Sequence, residues 1–182
     1  DESTPTIGKR FDAINTESTE TSRRDYRELL FRAPGMDENI SGVILFDETL
    51  RQASTDNTPL KDIILKTGAL PGIKVDKGVS SINDSQEVLT GGLEDLEERC
   101  AEYESLGAKF TKWRAVIKIG ENMPSDECIE ANTQALADYA KVVQNNNMVP
   151  IVEPEVLMDG EHPATTCYEA TSRCLNLSLI HI

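Results

Sequence analysis

The sequence predicts an α/β protein made of parallel βαβ units, equivalent to about the first half of a TIM (β/α)8 barrel. Short apolar runs alternate with helical segments at a repeat of roughly 30–40 residues, which implies right-handed crossovers and a parallel sheet. Charged residues stand at the ends of several runs, and a polar pocket inside a barrel gives such charges a place. A complete barrel needs roughly 250 residues, and this chain has 182.

The individual elements follow from the hydrophobic pattern and from helix and turn signals. Residues 1–6 and 53–59 are polar and are predicted to be loops. Strands are expected at residues 41–46, 72–75, 113–119 and 148–152. Helices are expected at residues 17–32, 91–106, 125–145 (with Ser125 as the N-cap) and 165–173. The predicted organisation is a partial barrel over residues 1–174, with an atypical apolar tail over residues 175–182.

Helical spacing also predicts which faces are buried. In the helix at 17–32, Tyr26, Leu29 and Leu30 fall on one face. The corresponding residues of the helix at 91–106 are Leu93, Leu96, Cys100, Tyr103 and Leu106. Those of the helix at 125–145 are Ile129, Leu136, Tyr139, Ala140 and Val143.

The net charge and the residue composition of the chain argue against several classes of binding partner and site. The formal net charge of −14, from 32 acidic and 18 basic residues, argues against nucleic acid and against anionic membrane surfaces. No apolar stretch approaches the roughly 20 residues of a membrane span. The two histidines argue against a metal site built from histidine. The four cysteines form no close pair and are predicted to be buried free thiols in a reducing compartment.

Two pairs of charged residues are candidates for a functional site. Lys112 and Arg114 point to the same face of one strand, as a cationic pair for phosphate or sugar hydroxyls or as partners of a neighbouring carboxylate. Glu153 and Glu155 share a face at the end of another strand. One of them could act as a general acid/base whose pKa is raised by the other. Alternatively, the two form a salt-bridge network with Lys112 and Arg114.

Other charged residues are weaker candidates. Lys74 and Asp76 share a face of the predicted second strand, with Lys77 after them, and either ligand binding or an internal ion pair explains them. Asp1 in a polar loop is by default a solvated residue. The remaining charged residues, which are surface groups by default, are Arg10, Arg23, Arg24 and His162.

Several segments resemble the class I fructose-bisphosphate aldolase family. They are residues 42–50, 72–79, 110–114 and 149–155, together with the opening residues 1–4 and the pair Lys9-Arg10. The resemblance runs from Asp1 to about Arg173. It identifies the chain as an N-terminal fragment of a (β/α)8 barrel enzyme.

The resemblance implies a function. Such enzymes are usually cytoplasmic homotetramers of glycolysis and gluconeogenesis, and are associated with cytoskeletal partners. They cleave the sugar phosphate fructose 1,6-bisphosphate to dihydroxyacetone phosphate and glyceraldehyde 3-phosphate. A lysine forms a Schiff base with the ketose and serves as the electron sink, so neither a metal nor an organic cofactor is expected.

Residue roles follow from the same resemblance. Asp1 would assist the bond-breaking step, and Lys112 would lie against the substrate hydroxyls and the carbinolamine. Glu153 would be the general acid/base, and Glu155 would support formation of the Schiff base. The expected substrate-binding residues are Thr6, which stands where the family often has Ser, and Arg10, Arg23, Lys74 and Arg114.

One departure from the family bears on activity. The Schiff-base lysine of the family, in an apolar run ending Leu-Leu-Lys-Pro, and its later phosphate site have no counterpart in residues 1–182. We therefore expect this chain alone to be inactive. An alternative is a short, non-catalytic product that acts as a binding or scaffold module. A third possibility, a metal-dependent class II aldolase, is disfavoured by the two isolated histidines.

Overall fold

Helices and strands are mixed along the chain, but they alternate less regularly than the sequence pattern predicts, since three helices precede the first strand and three strands follow one another after the fifth helix. The computed structural model describes residues 1–181. The chain divides into two units, which are described one at a time. The first unit comprises Asp1–Lys74 and Tyr103–Thr111. The second unit comprises Val75–Glu102 and the residues from Lys112 onward.

The first unit contains a pair of parallel strands with helices around it. Its elements are α1 (Thr4–Asp12), α2 (Glu20–Phe31), α3 (Met36–Asn39), β1 (Gly42–Leu45), α4 (Asp47–Arg51), α5 (Leu60–Lys66) and β2 (Leu70–Lys74). Strands β1 and β2 are parallel, with Gly42 opposite Leu70 and Leu45 opposite Ile73. Helix α5 packs against α2, α4 and β2. The first two strands therefore form where the apolar runs predict them.

The structure corrects two predictions in the first unit. Residues 1–6 are not all loop, because α1 begins at Thr4 with Pro5 in its first turn, a position that proline favours. In α2 the predicted face is wrong: Leu29 and Leu30 are 70% and 43% exposed. The residues that α2 buries are Arg27 and Phe31, four positions apart.

Phe110 occupies the space beside two glycines of the first unit. A Cβ atom placed on Gly72 would lie 2.4 Å from ring atoms of Phe110, and one on Gly42 would lie 3.1 Å from the same ring. Real Cβ atoms do not approach other atoms as closely as 2.4 Å. The phenyl ring thus fills the volume that side chains on β1 and β2 would otherwise take.

The second unit contains seven elements, among them the two longest helices and the two longest strands of the described residues. The seven are β3 (Val79–Ser81), β4 (Val88–Thr90), α6 (Leu96–Ser105), β5 (Phe110–Ile117), α7 (Asp126–Asn145), β6 (Val149–Val156) and α8 (Ala164–His181). The last three residues of α6 and the first two of β5 belong to the first unit. Strands β3 and β4 form an antiparallel hairpin, and β6 lies beside β5. Helix α7 packs on β6 and α8.

Helix α7 matches its prediction closely. Ser125 is the N-cap, and its hydroxyl accepts a hydrogen bond from the Cys128 amide. All five residues predicted to face the core are buried: Ile129, Leu136, Tyr139, Ala140 and Val143. Leu96, Cys100 and Tyr103 of α6 are buried as predicted. The four cysteines are free thiols, of which Cys167 is half-buried and the other three are buried.

Strand β6 is longer than predicted. The prediction ended at residue 152, but the strand continues to Val156 and contains both Glu153 and Glu155. Among the described strands β6 is bonded to β5 alone, and a strand with a free edge can accommodate Pro150 and Pro154. Helix α8 begins one residue before its predicted start and continues through His181.

Candidate active site

The side chain of Asp1 is buried in the first unit, so it is not the solvated group that a polar loop predicts. Its side chain is 1% exposed, and its partner Arg27 is fully buried. Arg27 Nε donates to Asp1 Oδ1 at 3.2 Å, and Arg27 Nη1 donates to Glu48 Oε2 at 3.0 Å. We call Asp1, Arg23, Arg27, Glu48 and Thr49 the Asp1 cluster. It joins the start of the chain to α2 and α4.

The carboxylate of Glu48 accepts hydrogen bonds from both arginines of this cluster. Arg23 Nη2 donates to Glu48 Oε1 at 2.6 Å, and the hydroxyl of Thr4 donates to Oε2 at 2.6 Å. Burial alone raises the pKa of Glu48, but the hydrogen bonds from Arg23, Thr4 and Arg27 outweigh it and hold the pKa at about 2. Burial lowers the pKa of Arg27, although an arginine keeps its charge in proteins. Arg23 donates to Glu48 through both Nε and Nη2, so its guanidinium group is already bound to a carboxylate of the protein.

Acid should remove the stabilisation that Glu48 contributes. Folding lowers the pKa of Glu48 from its ordinary 4.5 to about 2. This stabilisation is therefore complete above about pH 4.5 and is lost as the pH falls towards about 2. Between about pH 7 and about pH 3, we expect the contribution of Glu48 to the free energy of unfolding to fall by about 2 kcal/mol.

Urea unfolding of the wild type and of Glu48→Gln at both pH values measures this contribution. The variant should lack that part of the pH dependence, whereas Glu130→Gln, an exposed site on α7, should retain it. The same pH dependence in the wild type and in Glu48→Gln would contradict the assignment.

The second unit pairs the lysine and arginine of β5 with the two glutamates of β6. Lys112 Nζ lies 3.2 Å from Glu153 Oε1. Arg114 Nε donates to Glu155 Oε2. Alternate residues of β5 are buried, so Lys112 and Arg114 share its half-buried face, as their spacing predicts. We call these four residues the β5–β6 ion pairs.

The two glutamates of this set have different environments. The hydrogen bond from Arg114 lowers the pKa of Glu155, and the same bond raises the pKa of Arg114. Glu155 is thus held as a carboxylate by a planar guanidinium. Glu153 faces the compact ammonium group of Lys112, which sits on a flexible stem and can turn to another partner.

The other predicted site residues have simpler surroundings. Thr6 and Ser3 share a hydrogen bond of 3.0 Å between their hydroxyls. The exposed Arg10 pairs with Glu2 at 2.5 Å. Lys74 is the last residue of β2 and is half-buried. Within the first unit, the structure brings Asp1 and Arg23 into one network through Arg27 and Glu48.

Sequence reasoning missed three residues of the Asp1 cluster, namely Arg27, Glu48 and Thr49. Glu48 and Thr49 stand three and four residues after the end of β1, so the signal that singled out Glu153 could have found them. Arg27 stands four residues after Arg23, which places both on one helix face.

Residues 1–181 contain neither a cluster of metal-binding side chains nor a helix suited to span a membrane. No group of three or more His, Cys, Asp or Glu side chains in this range could hold a metal ion. None of the helices described here combines the length and the apolar character needed to cross a membrane.

Comparison with known proteins gives a consistent result. The sequence model of the family described as fructose-bisphosphate aldolase class-I matches residues 1–181. The probable fructose-bisphosphate aldolase class 1 of Xanthomonas campestris is 53% identical over 176 residues, which cover 96% of this chain and 53% of the relative. The cytosolic fructose-bisphosphate aldolase 6 of Arabidopsis thaliana is also 53% identical, over 96% of this chain and 49% of its own length.

A solved structure has the same fold. It is a fructose-bisphosphate aldolase from Plasmodium falciparum, in a ternary complex with TRAP and a small molecule inhibitor. The TM-score is 0.96 at 44% sequence identity, covering 100% of this chain and 53% of that one. The chain belongs to the class-I fructose-bisphosphate aldolase family. It spans about half the length of the curated relatives that it matches.

Proposed function

We propose that the chain supplies part of the active site of a class I fructose-bisphosphate aldolase. The reaction is the reversible cleavage of fructose 1,6-bisphosphate to dihydroxyacetone phosphate and glyceraldehyde 3-phosphate in glycolysis and gluconeogenesis. In this proposal the chain forms the first half of a (β/α)8 barrel. A Schiff-base lysine from the rest of the barrel provides the electron sink, and no metal or organic cofactor takes part.

The observation that carries this proposal is the set of β5–β6 ion pairs. Acid/base catalysis by two neighbouring carboxylates needs environments that separate their roles. Arg114 keeps Glu155 ionised, which suits a carboxylate that supports formation of the Schiff base. Glu153 lies beside Lys112, whose ammonium can stabilise the oxygen atoms of the substrate while Glu153 transfers a proton. Arg114 also lines the sugar-phosphate path in this assignment.

The first unit is proposed to supply Asp1 for the bond-breaking step. Thr6 and Arg10 are the proposed contacts to the substrate, with Lys74 at the end of β2. Arg23 is bonded to Glu48, so it can approach a phosphate group only if it exchanges this partner or acts through its charge. Arg10 is also paired, with Glu2, but that pair is more exposed than the pair of Arg23 and Glu48, and its partner is more easily exchanged. We therefore assign Arg23 a weaker role in phosphate binding than Arg10.

The proposed assembly also follows from the relatives. The complete enzyme is proposed to be cytoplasmic, as the Arabidopsis thaliana aldolase 6 is named cytosolic. The homotetramer is proposed from the family resemblance. Protein partners are proposed as well, because the Plasmodium aldolase was solved in complex with TRAP. Cytoskeletal proteins are the partners that the family resemblance implies. The net charge of −14 remains the reason to expect neither nucleic acid nor membrane as a partner.

The proposal is tested in the protein expressed from its full native reading frame. Cleavage of fructose 1,6-bisphosphate should persist in EDTA, and borohydride should trap dihydroxyacetone phosphate covalently on a lysine. Glu153→Gln should lower kcat about 100-fold, the usual scale for a general acid/base. Glu130→Gln on the exposed side of α7 should leave kcat unchanged. Absence of cleavage, or cleavage abolished by EDTA, would overturn the proposal.

A further inference from the structure

The carboxylate of Asp1 is fixed by an unusually complete set of donors. Oδ2 accepts from the Phe46 amide at 2.9 Å and from the Thr49 hydroxyl at 2.5 Å. Oδ1 accepts from Arg27 Nε at 3.2 Å and from the Glu2 amide at 2.7 Å. Each oxygen atom of the carboxylate therefore accepts two hydrogen bonds, and these four bonds fix its orientation.

Three of these donors are distant from Asp1 in the sequence. The Glu2 amide belongs to the next residue and moves with Asp1. Phe46 and Thr49 stand at the first turn of α4, and Arg27 stands on α2. The orientation of the carboxylate is therefore set by two helices and not by its own segment of chain.

The surroundings of these donors hold them rigidly. Thr49 is fully buried. Arg27, also fully buried, is itself tied to Glu48 at 3.0 Å and to the side chain of Gln52 at 2.8 Å. A buried guanidinium with several acceptors has one allowed position. Thr49 and Arg27 thus share the properties of residues that preorganise a reacting group.

We propose that Thr49 and Arg27 are positioning residues that hold the Asp1 carboxylate in the orientation required for carbon–carbon bond cleavage. The inference rests on the proposed aldolase function, since it concerns the same site. Neither residue touches the substrate. Each acts through Asp1, with Thr49 setting the direction of Oδ2 and Arg27 that of Oδ1.

The sharpest test uses Thr49, because a change at Arg27 endangers folding. Thr49→Val keeps the shape of the side chain and removes only the hydroxyl, while Thr49→Ser keeps the hydroxyl. The matched control is Thr133→Val, an equally buried threonine on α7 whose hydroxyl donates to the Glu130 carbonyl at 3.1 Å. All three variants are made in the protein expressed from its full native reading frame.

Kinetics provide the first measurement. Thr49→Val should lower kcat about 10- to 100-fold, the effect of losing one hydrogen bond to a charged group, with little change in KM. Thr49→Ser should recover kcat to within about 3-fold of the wild type. If Thr49→Val and Thr133→Val have equal kcat values in an active enzyme, the positioning role is overturned.

Hydrogen exchange of the Phe46 amide provides a second measurement that does not depend on activity. With the Thr49 hydroxyl removed, Oδ2 is less firmly held, and the Phe46 amide should exchange about 10-fold faster. Exchange at Phe46 should be unchanged in Thr49→Ser and in Thr133→Val. Unchanged exchange in Thr49→Val overturns the proposal, whether or not the wild type is active. A wild type without aldolase activity overturns the proposed function instead, and the exchange result then decides the orientation of Asp1 alone.

Discussion

The purified polypeptide of residues 1–182 is expected to show no turnover of fructose 1,6-bisphosphate. Cleavage of the carbon–carbon bond needs an electron sink, and none of the lysines in residues 1–182 matches the apolar run that carries the Schiff-base lysine in the family. Lys112 is the lysine beside the proposed acid/base, but it is paired with Glu153 at 3.2 Å. A coupled assay at high enzyme concentration measures this result.

The control for this prediction supplies the part of a relative that this chain does not match. The chain is mixed or co-expressed with the C-terminal half of the Arabidopsis thaliana relative, which should restore measurable cleavage if the halves assemble. Sequencing the native transcript beyond the codon for Ile182 shows whether the natural product carries its own lysine. Turnover by the isolated chain that disappears in Lys112→Met would contradict the prediction and give Lys112 the covalent role.

Arg27→Met is expected to be the most destabilising single substitution in the Asp1 cluster. It leaves the carboxylates of Asp1 and Glu48 without the cation that lies between them. Removing one partner of a buried ion pair typically costs about 3–5 kcal/mol. Arg27→Lys should fall between the variant and the wild type, because one ammonium group cannot reproduce the fork of a guanidinium. Chemical denaturation monitored by circular dichroism measures the loss.

Arg24→Met is the matched control for this prediction. Arg24 lies three residues earlier on α2, and it is partly exposed and paired with the neighbouring Asp25. An exposed pair of this kind contributes about 0–1 kcal/mol. Equal losses in Arg24→Met and Arg27→Met would mean that the buried network around Asp1 contributes little to stability.

The longer elements could be predicted from the sequence because their patterns are local. Helix α7 has a capping serine and 20 residues of regular spacing, and its predicted ends and face are confirmed. The runs at β1 and β2 are short but continuous. Helices α3 to α5 and strands β3 and β4 have seven residues or fewer each, and such segments contain too few repeats for a period to be recognised.

The face of α2 was predicted wrongly for a different reason. Apolar spacing favoured Leu29 and Leu30, yet the helix buries Arg27. A charge is buried only where partners compensate it, and the partners here are Asp1, Glu48 and Gln52, which are 21 to 26 residues away. No local pattern contains this information.

The arrangement of the β5–β6 ion pairs, unlike the buried face of α2, could be predicted from a local pattern. Alternation along a strand is a local pattern. It could therefore place Lys112 and Arg114 on one face of β5, and Glu153 and Glu155 on one face of β6. The structure then joins them as the salt-bridge alternative predicted. Whether the pairs also perform catalysis could not be read from spacing, because an ion pair and an acid/base site use the same residue types.

The packing of Phe110 between Gly42 and Gly72 has an evolutionary consequence. A side chain at position 72 would overlap the ring at position 110, so the ring must shift or be replaced by something smaller. A large residue at 110 in turn depends on glycine at 72 and tolerates little at 42. The three positions are therefore expected to vary together, because a substitution at any of them is constrained by the residues at the other two, although they are 30 to 68 residues apart.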